Sequence, residues 1–187
     1  MPACITWTNL PDGVFPESDM LFQELTLEKS ARLNASLYAR FMALSGTDRT
    51  RQSHYFQGRF ENIYIKEADI PDIAALLDVV KQQAGQLLGV PAATLRAGFW
   101  FNAMEAGHRT VPHHHDENDE LLSAVYYIRV PENSGDLILH ENARKIVIQA
   151  QEGKLVLFAP AVLHEVTANS SSGLRLSVGM NVGPADG

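Results

Sequence analysis

Gly153-Lys-Leu-Val-Leu-Phe-Ala-Pro-Ala-Val-Leu-His-Glu-Val166 reads as an apolar strand, a proline turn and a second strand that opens on a histidine. Apolar runs this short, bounded by turn residues, favour strands over helices. The same pattern repeats on both sides. Strands are expected at roughly Arg96–Met104, Leu121–Val130, Asp136–His140, Lys145–Gln149, Lys154–Phe158, His164–Thr167 and Leu174–Val182. Pro131-Glu-Asn-Ser-Gly135, Gln151-Glu-Gly153, Ala159-Pro160 and Asn169-Ser-Ser-Ser-Gly173 punctuate them. So many short strands at this spacing predict a sandwich or barrel.

The first half of the chain is helical in character. Glu28 to Leu44 favours helix and Gly46 ends it. Asp69-Ile-Pro-Asp72 opens a second helix, since a capping aspartate and an early proline suit a first turn. Its Ile73, Leu76, Leu77, Val80, Leu87 and Leu88 recur at helical spacing, and Gly89 closes it. Asn62–Lys66 alternates like a strand just before. No linker, repeat or low-complexity tract intervenes. One domain over 1–187 is expected, with about 1–95 as helical support and substrate region and about 96–183 as the barrel core.

Composition narrows the function classes. A 45% apolar and 20% charged content suits a soluble globular protein, and no apolar stretch reaches the length of a membrane span. The single cysteine, Cys4, excludes an internal disulfide framework, and the start Met-Pro-Ala-Cys-Ile-Thr-Trp lacks signal-peptide features. A cytoplasmic protein without a membrane partner is expected. The net charge of −7, with no lysine/arginine-rich block, argues against a nucleic-acid partner. Thr47–Arg59 carries Arg49, Arg51 and Arg59 with His54, Tyr55 and Phe56 interleaved. It reads first as a solvated loop plus a strand edge, and second as a groove for an anionic substrate.

Three signals carry chemistry. In Val111-Pro-His-His-His-Asp-Glu117, side chains two apart on an extended segment share a face. His114 and Asp116 form one pair and His113 and His115 another. A strand–turn excursion some fifty residues on returns His164 toward them. Two histidines and one carboxylate on one face of a metal form the ligand set of non-haem iron(II) oxygenases, and the lack of thiolates disfavours structural zinc. The third signal is Arg175-Leu-Ser177, whose arginine and serine share a strand face. A guanidinium inside a barrel needs an anionic partner, and a dicarboxylate suits it in bidentate fashion. His54 and His140 are isolated and read as surface or hydrogen-bonded residues. His108 lies near the mouth. Glu117, Asp119 and Glu120 read as a solvated acidic loop.

From about Phe99 to Val182 these elements resemble the 2-oxoglutarate/iron(II) dioxygenases, in particular the branch that includes the prolyl hydroxylases. The resemblance rests on Gly107, His114-His-Asp116, Tyr126-Tyr127, Ser134-Gly-Asp-Leu137, Gly153-Lys-Leu-Val-Leu-Phe158, His164-Glu-Val166 and Arg175-Leu-Ser177, in that order. It implies a mainly β fold with flanking helices, a double-stranded β-helix of the jelly-roll or cupin type. It implies iron held by His114, Asp116 and His164 as the catalytic centre. Arg175 would grip the distal carboxylate of 2-oxoglutarate, with Ser177 beside it and Tyr127 as a hydroxyl donor. Asn102 stands on a strand where many relatives have a tyrosine, and would be a polar contact in its place.

The implied cofactors are Fe(II), 2-oxoglutarate as cosubstrate and O2, with ascorbate as a stimulant. The implied activity is hydroxylation of an unactivated C–H bond in a small metabolite, amino acid or protein side chain, releasing succinate and CO2. Edge strands would allow a homodimer. Two other readings stay open: a cupin dioxygenase with His113, His115 and His164 as ligands and no 2-oxoglutarate, and a non-catalytic cupin-like metal sensor.

Overall fold

A computed structural model of the chain describes residues 22–44, 49–56, 58–115 and 119–185. In chain order the elements are β1 (Phe22–Thr26), α1 (Ala31–Ala43), β2 (Arg49–Phe56), β3 (Arg59–Ile65), α2 (Ile73–Leu88), β4 (Leu95–Met104), β5 (Thr110–His113) and β6 (Leu122–Arg129). β7 (Leu137–Glu141), β8 (Arg144–Ile148), β9 (Lys154–Phe158), β10 (His164–Val166) and β11 (Arg175–Pro184) follow. The strands form a large sheet in the order β1-β9-β6-β11-β4-β3-β2 and a small one in the order β5-β10-β7-β8, antiparallel throughout. Consecutive strands cross from one sheet to the other, from β4 to β5 to β6 and again from β9 to β10 to β11. This is the double-stranded β-helix that the sequence resembles.

Strand alternation divides each central strand between two cores. On β11, Leu176, Val178, Met180 and Val182 join Leu122, Ala124, Tyr126 and Ile128 of β6 in packing toward the helices. From α2, Ile73, Leu76 and Val80 are fully buried in this layer, each contributing about 1.5–3 kcal/mol. Tyr126 also donates a hydrogen bond to Asn34 Oδ1 of α1, 2.6 Å away. The opposite face of the large sheet looks at the small sheet. There Phe22, Tyr127, Leu137, Leu139, Ile148, Val156 and Phe158 close one end of the barrel with a second apolar cluster. Among the described residues no helix is long and apolar enough to cross a membrane.

Several local expectations change. Phe22–Thr26 is a strand, paired along β9 from Phe22–Phe158 to Thr26–Lys154; its polar sequence hides it. The Thr47–Arg59 segment, expected as a solvated loop plus a strand edge, contributes the edge strand β2, exposed at several positions, which pairs along β3. Residues 45–48 and Gln57 lie outside the described set. Asp72 sits at the cap of α2 without a side-chain bond to its own helix; instead it accepts from the Ser36 hydroxyl of α1. Gly89 does end α2 in the left-handed conformation, φ +69°, as a C-terminal glycine should.

Candidate active site

The short strand β5 brings His113 opposite His164 of β10, which in turn pairs with Leu139 of β7. Beyond β5 the chain is held by the His115 N–H, which donates to the Pro160 carbonyl, 2.8 Å away, in the turn before β10. The three rings converge. Centroids are 4.2 Å apart for His113–His164, 4.9 Å for His113–His115 and 5.2 Å for His115–His164. Their ligating nitrogens all lie within 4.8 Å of one another, close enough to hold one metal ion.

His114 is not part of this cluster: it is exposed and absent from the cavity lining. Alternation allowed two pairs, and the β5–β10 pairing turns His113 and His115 inward, so His114 between them points outward. Asp116, expected as the carboxylate ligand, lies outside the described residues, as does Glu117.

Hydrogen bonds set the ring tautomers. His113 Nδ1 lies 2.9 Å from the Val111 carbonyl and His164 Nδ1 2.9 Å from the Val162 carbonyl. A carbonyl only accepts, so both rings carry a proton on Nδ1 and present a bare Nε2, the orientation that metal-binding histidines need. Burial, reinforced by His113, pushes the His164 pKa down to about 3. Burial, with His113 and His54, pushes His115 down to about 4, against the pull of Glu120. Both are neutral at pH 7, and a neutral imidazole does not have to shed a proton to bind a metal.

The large sheet supplies the facing wall. Arg175 stands opposite Met104, and Ser177 opposite Asn102 on one side and Tyr127 on the other. Arg175 is only 1% exposed. Its Nη1 reaches Met104 Sδ at 3.2 Å and its Cζ lies 5.2 Å from the Tyr127 ring centre. Among the described residues no carboxylate pairs with it, and both its Nε and the Tyr127 hydroxyl are buried without a partner. Burial lowers the guanidinium pKa and raises that of the phenol, while each partly offsets the other's shift. The two groups also interact with each other, and their remaining donor capacity is what an anionic group can use. Ser177 is buried at the same wall. Asn102 also lines the cavity, with its Nδ2 bonded to the Glu61 carbonyl and to Asn62 Oδ1.

The space between these walls is about 120 Å³ and is also lined by Trp100 and His54. Trp100 lies 5.5 Å from His115, ring to ring. It fits because Gly179 lies beneath it: a Cβ there would come within 2.5 Å of the indole. Trp100 was not legible as a site residue; His54 read as an isolated surface or hydrogen-bonded residue, which it is, and only its segment read, second, as a substrate groove.

The remaining candidates lie elsewhere. His140 bonds Glu165, which also binds Lys145, as a structural group would. His108 accepts from the Glu105 N–H and borders a neighbouring groove. Asp119 pairs with Arg96, and Glu120 accepts from Asn181. Arg51 stacks over Tyr64, and Arg59 is held by Glu61 and the Arg109 carbonyl. The Arg49 side chain lies outside the described set.

No curated protein is similar to this chain in sequence. Solved structures share its fold at low identity. The non-haem α-ketoglutarate-dependent carbocyclase SnoK from nogalamycin biosynthesis is 16% identical, with a TM-score of 0.69 over 88% of this chain and 79% of that one. The epimerase SnoN of the same biosynthesis is 18% identical, with a TM-score of 0.67 over 86% and 76%. A Pseudomonas putida prolyl-4-hydroxylase is 19% identical, with a TM-score of 0.62 over 88% of each chain. The sequence match is to the 2OG-Fe(II) oxygenase superfamily, whose family model covers residues 99–183, the stretch that supplies the three clustered histidines, Tyr127, Arg175 and Ser177.

Proposed function

We propose that this chain is an iron(II)- and 2-oxoglutarate-dependent dioxygenase that hydroxylates an unactivated C–H bond of a small metabolite, amino acid or protein side chain. The observation that carries the reading is the buried Arg175 guanidinium, which no carboxylate among the described residues pairs with, in one cavity with a three-histidine cluster. A structural arginine would be paired, because an uncompensated buried cation is costly.

The residues fit both groups. His113, His115 and His164 would hold the iron, since imidazole is a suitable donor and two of the rings are already fixed with Nε2 bare. Arg175 would receive a carboxylate of the cosubstrate, with the Tyr127 and Ser177 hydroxyls beside it. When bound, iron and 2-oxoglutarate supply the oxidative decarboxylation that yields succinate and CO2 and drives oxidation of the substrate. The protein's task is to orient the cosubstrate and exclude competing reactions. An imidazole ligand brings no negative charge to a metal, and a cosubstrate dianion, which Arg175 also attracts, would supply it.

Anaerobic titration of the metal-free protein with iron(II) and 2-oxoglutarate tests this. A visible charge-transfer band that needs both components, and that is lost in His164→Ala, supports it; product mass spectra then show whether one oxygen is gained. Bound metal with no band would sink the proposal. The three-histidine set also favours one rival, a cupin-type dioxygenase, whose oxygen uptake would be indifferent to 2-oxoglutarate.

A further inference from the structure

The outer wall of the cavity is built by β2, β3 and β4, and one of its residues departs from strand geometry. His54 has φ +59°, a left-handed conformation that non-glycine residues seldom adopt. Around it the pairing is regular, with Ser53 opposite Asn62 and Tyr55 opposite Phe60. Alternation would put His54 on the face away from Ser53 and Asn62. The left-handed turn carries the ring to their side instead. There Nδ1 lies 2.9 Å from Ser53 Oγ and 3.2 Å from Asn62 Nδ2, and the residue lines the cavity with Trp100, Asn102 and His115. Backbone conformations of this kind persist where surrounding contacts hold them, and they gather at ligand sites.

The direction of these hydrogen bonds is fixed outward from the backbone. Asn102 Nδ2 donates to the Glu61 carbonyl at 2.7 Å, an oxygen that can only accept. The same nitrogen lies 3.2 Å from Asn62 Oδ1, so Asn62 turns its oxygen to Asn102 and its Nδ2 to His54. An amide nitrogen only donates. His54 Nδ1 must therefore accept, from Asn62 and from the Ser53 hydroxyl, and the ring proton resides on Nε2. His113 and His164 are the reverse, protonated on Nδ1 and bare on Nε2. One cavity holds acceptor nitrogens at the cluster and a donor nitrogen at the rim.

We propose that His54 selects the substrate: its Nε2–H, turned away from the Ser53–Asn62 wall, donates a hydrogen bond to a carboxylate or carbonyl oxygen of the molecule to be oxidised. A site built to bond an acceptor discriminates strongly against analogues that lack one. The same proton keeps His54 from serving as a further metal ligand. The oxygenase reading enters only in what then happens to the substrate; the hydrogen bond itself requires no iron.

Long-range proton–nitrogen correlation spectra of the metal-free protein read the tautomers directly. His54 should be protonated on Nε2 in the wild type and on Nδ1 in Asn62→Asp, whose carboxylate only accepts. Protein loaded with zinc(II) and 2-oxoglutarate is then titrated with acetate, acetamide and methylammonium, followed at the Trp100 indole and the His54 ring. Acetate or acetamide should move both signals and methylammonium neither; the stronger of the two tells a charged acceptor from a neutral one. His54→Leu should weaken acceptor binding by about tenfold or more, and His54→Gln, which keeps a donor, should restore most of it. A wild-type His54 protonated on Nδ1, or acceptor binding unchanged in His54→Leu, overturns the proposal. Failure of zinc and 2-oxoglutarate to bind would count against the oxygenase reading alone, and the tautomer spectra would still decide His54.

Discussion

Replacing Arg175 with methionine should make the protein more stable alone and less stabilised by its cosubstrate. In the unliganded site the guanidinium is 1% exposed, touches the Met104 sulfur and the Tyr127 ring, and leaves Nε unpartnered. An unsatisfied buried donor costs about 1–3 kcal/mol, and an apolar side chain of similar length removes that cost. For a chain of this size each kcal/mol moves the melting temperature by about 2–4 °C, so Arg175→Met should melt roughly 2–12 °C higher. Binding runs the other way. Two charge-assisted hydrogen bonds at about 1.5–3 kcal/mol each imply a loss of about 10²- to 10⁴-fold in affinity for 2-oxoglutarate. At a concentration one hundred times the wild-type Kd, the cosubstrate stabilises the wild type by about 2.7 kcal/mol and the variant by about 0.4 kcal/mol or less. Calorimetry under nitrogen with iron(II), with and without 2-oxoglutarate, should therefore show the wild type gain about 2.3 kcal/mol or more on the variant, which reverses the order of melting temperatures for any unliganded advantage below that. A variant that melts lower without the cosubstrate, yet gains as much from it as the wild type, would refute the assignment and make Arg175 a structural residue.

Metal affinity separates the two histidine pairs: His113→Ala, His115→Ala and His164→Ala should each lower it by tenfold or more, roughly, whereas His114→Ala should leave it within about twofold; calorimetric titration with iron(II) decides, and the reverse order would restore the His114 pair. The metal-free protein should lose stability on acidification, because His115 and His164 are depressed from 6.5 to about 4 and about 3. The unfolded chain then binds more protons, so this contribution is whole above pH 6.5 and is lost as pH falls through 4 and 3. His115→Gln should flatten the melting temperature between pH 6.5 and 4, and an unaltered slope would contradict the assigned burial. Gly179→Ala should displace Trp100, since the new methyl meets the indole at 2.5 Å; a shifted tryptophan emission with a loss of about 1–3 kcal/mol is expected, and an unperturbed spectrum would argue against that packing.

How much of this was legible follows from which contacts are local. Alternation along Arg175–Val182 sorts the arginine and serine from the apolar residues without any structure, and it does so correctly. The same rule applied to three consecutive histidines yields two pairs and no phase. The phase is set by His113 meeting His164 across β5 and β10, a contact between residues 51 positions apart. β1 was invisible because Phe-Gln-Glu-Leu-Thr is an edge strand with charge on it, held by β9 and not by its own propensity. His54 was read as a surface or hydrogen-bonded residue and is both; its left-handed backbone was hidden because nothing in Ser53-His54-Tyr55 announces it, as a glycine would have.

The large sheet is not equally firm across its width. β4 and β11 run in register along their whole length, from Met104–Arg175 to Leu95–Pro184, whereas β3 meets β4 at the single registered pair Ile63–Phe101. The groups assigned to cosubstrate anchoring stand on inner strands, and the group assigned to choosing a guest stands on the hairpin that hangs from the rim. On the proposed function, substitutions in residues 51–60 should therefore change the guest while leaving the cosubstrate anchor on β11 and β6 in place. A lineage built this way can explore new guests without passing through a dead catalyst, and a laboratory library confined to that hairpin should enjoy the same freedom.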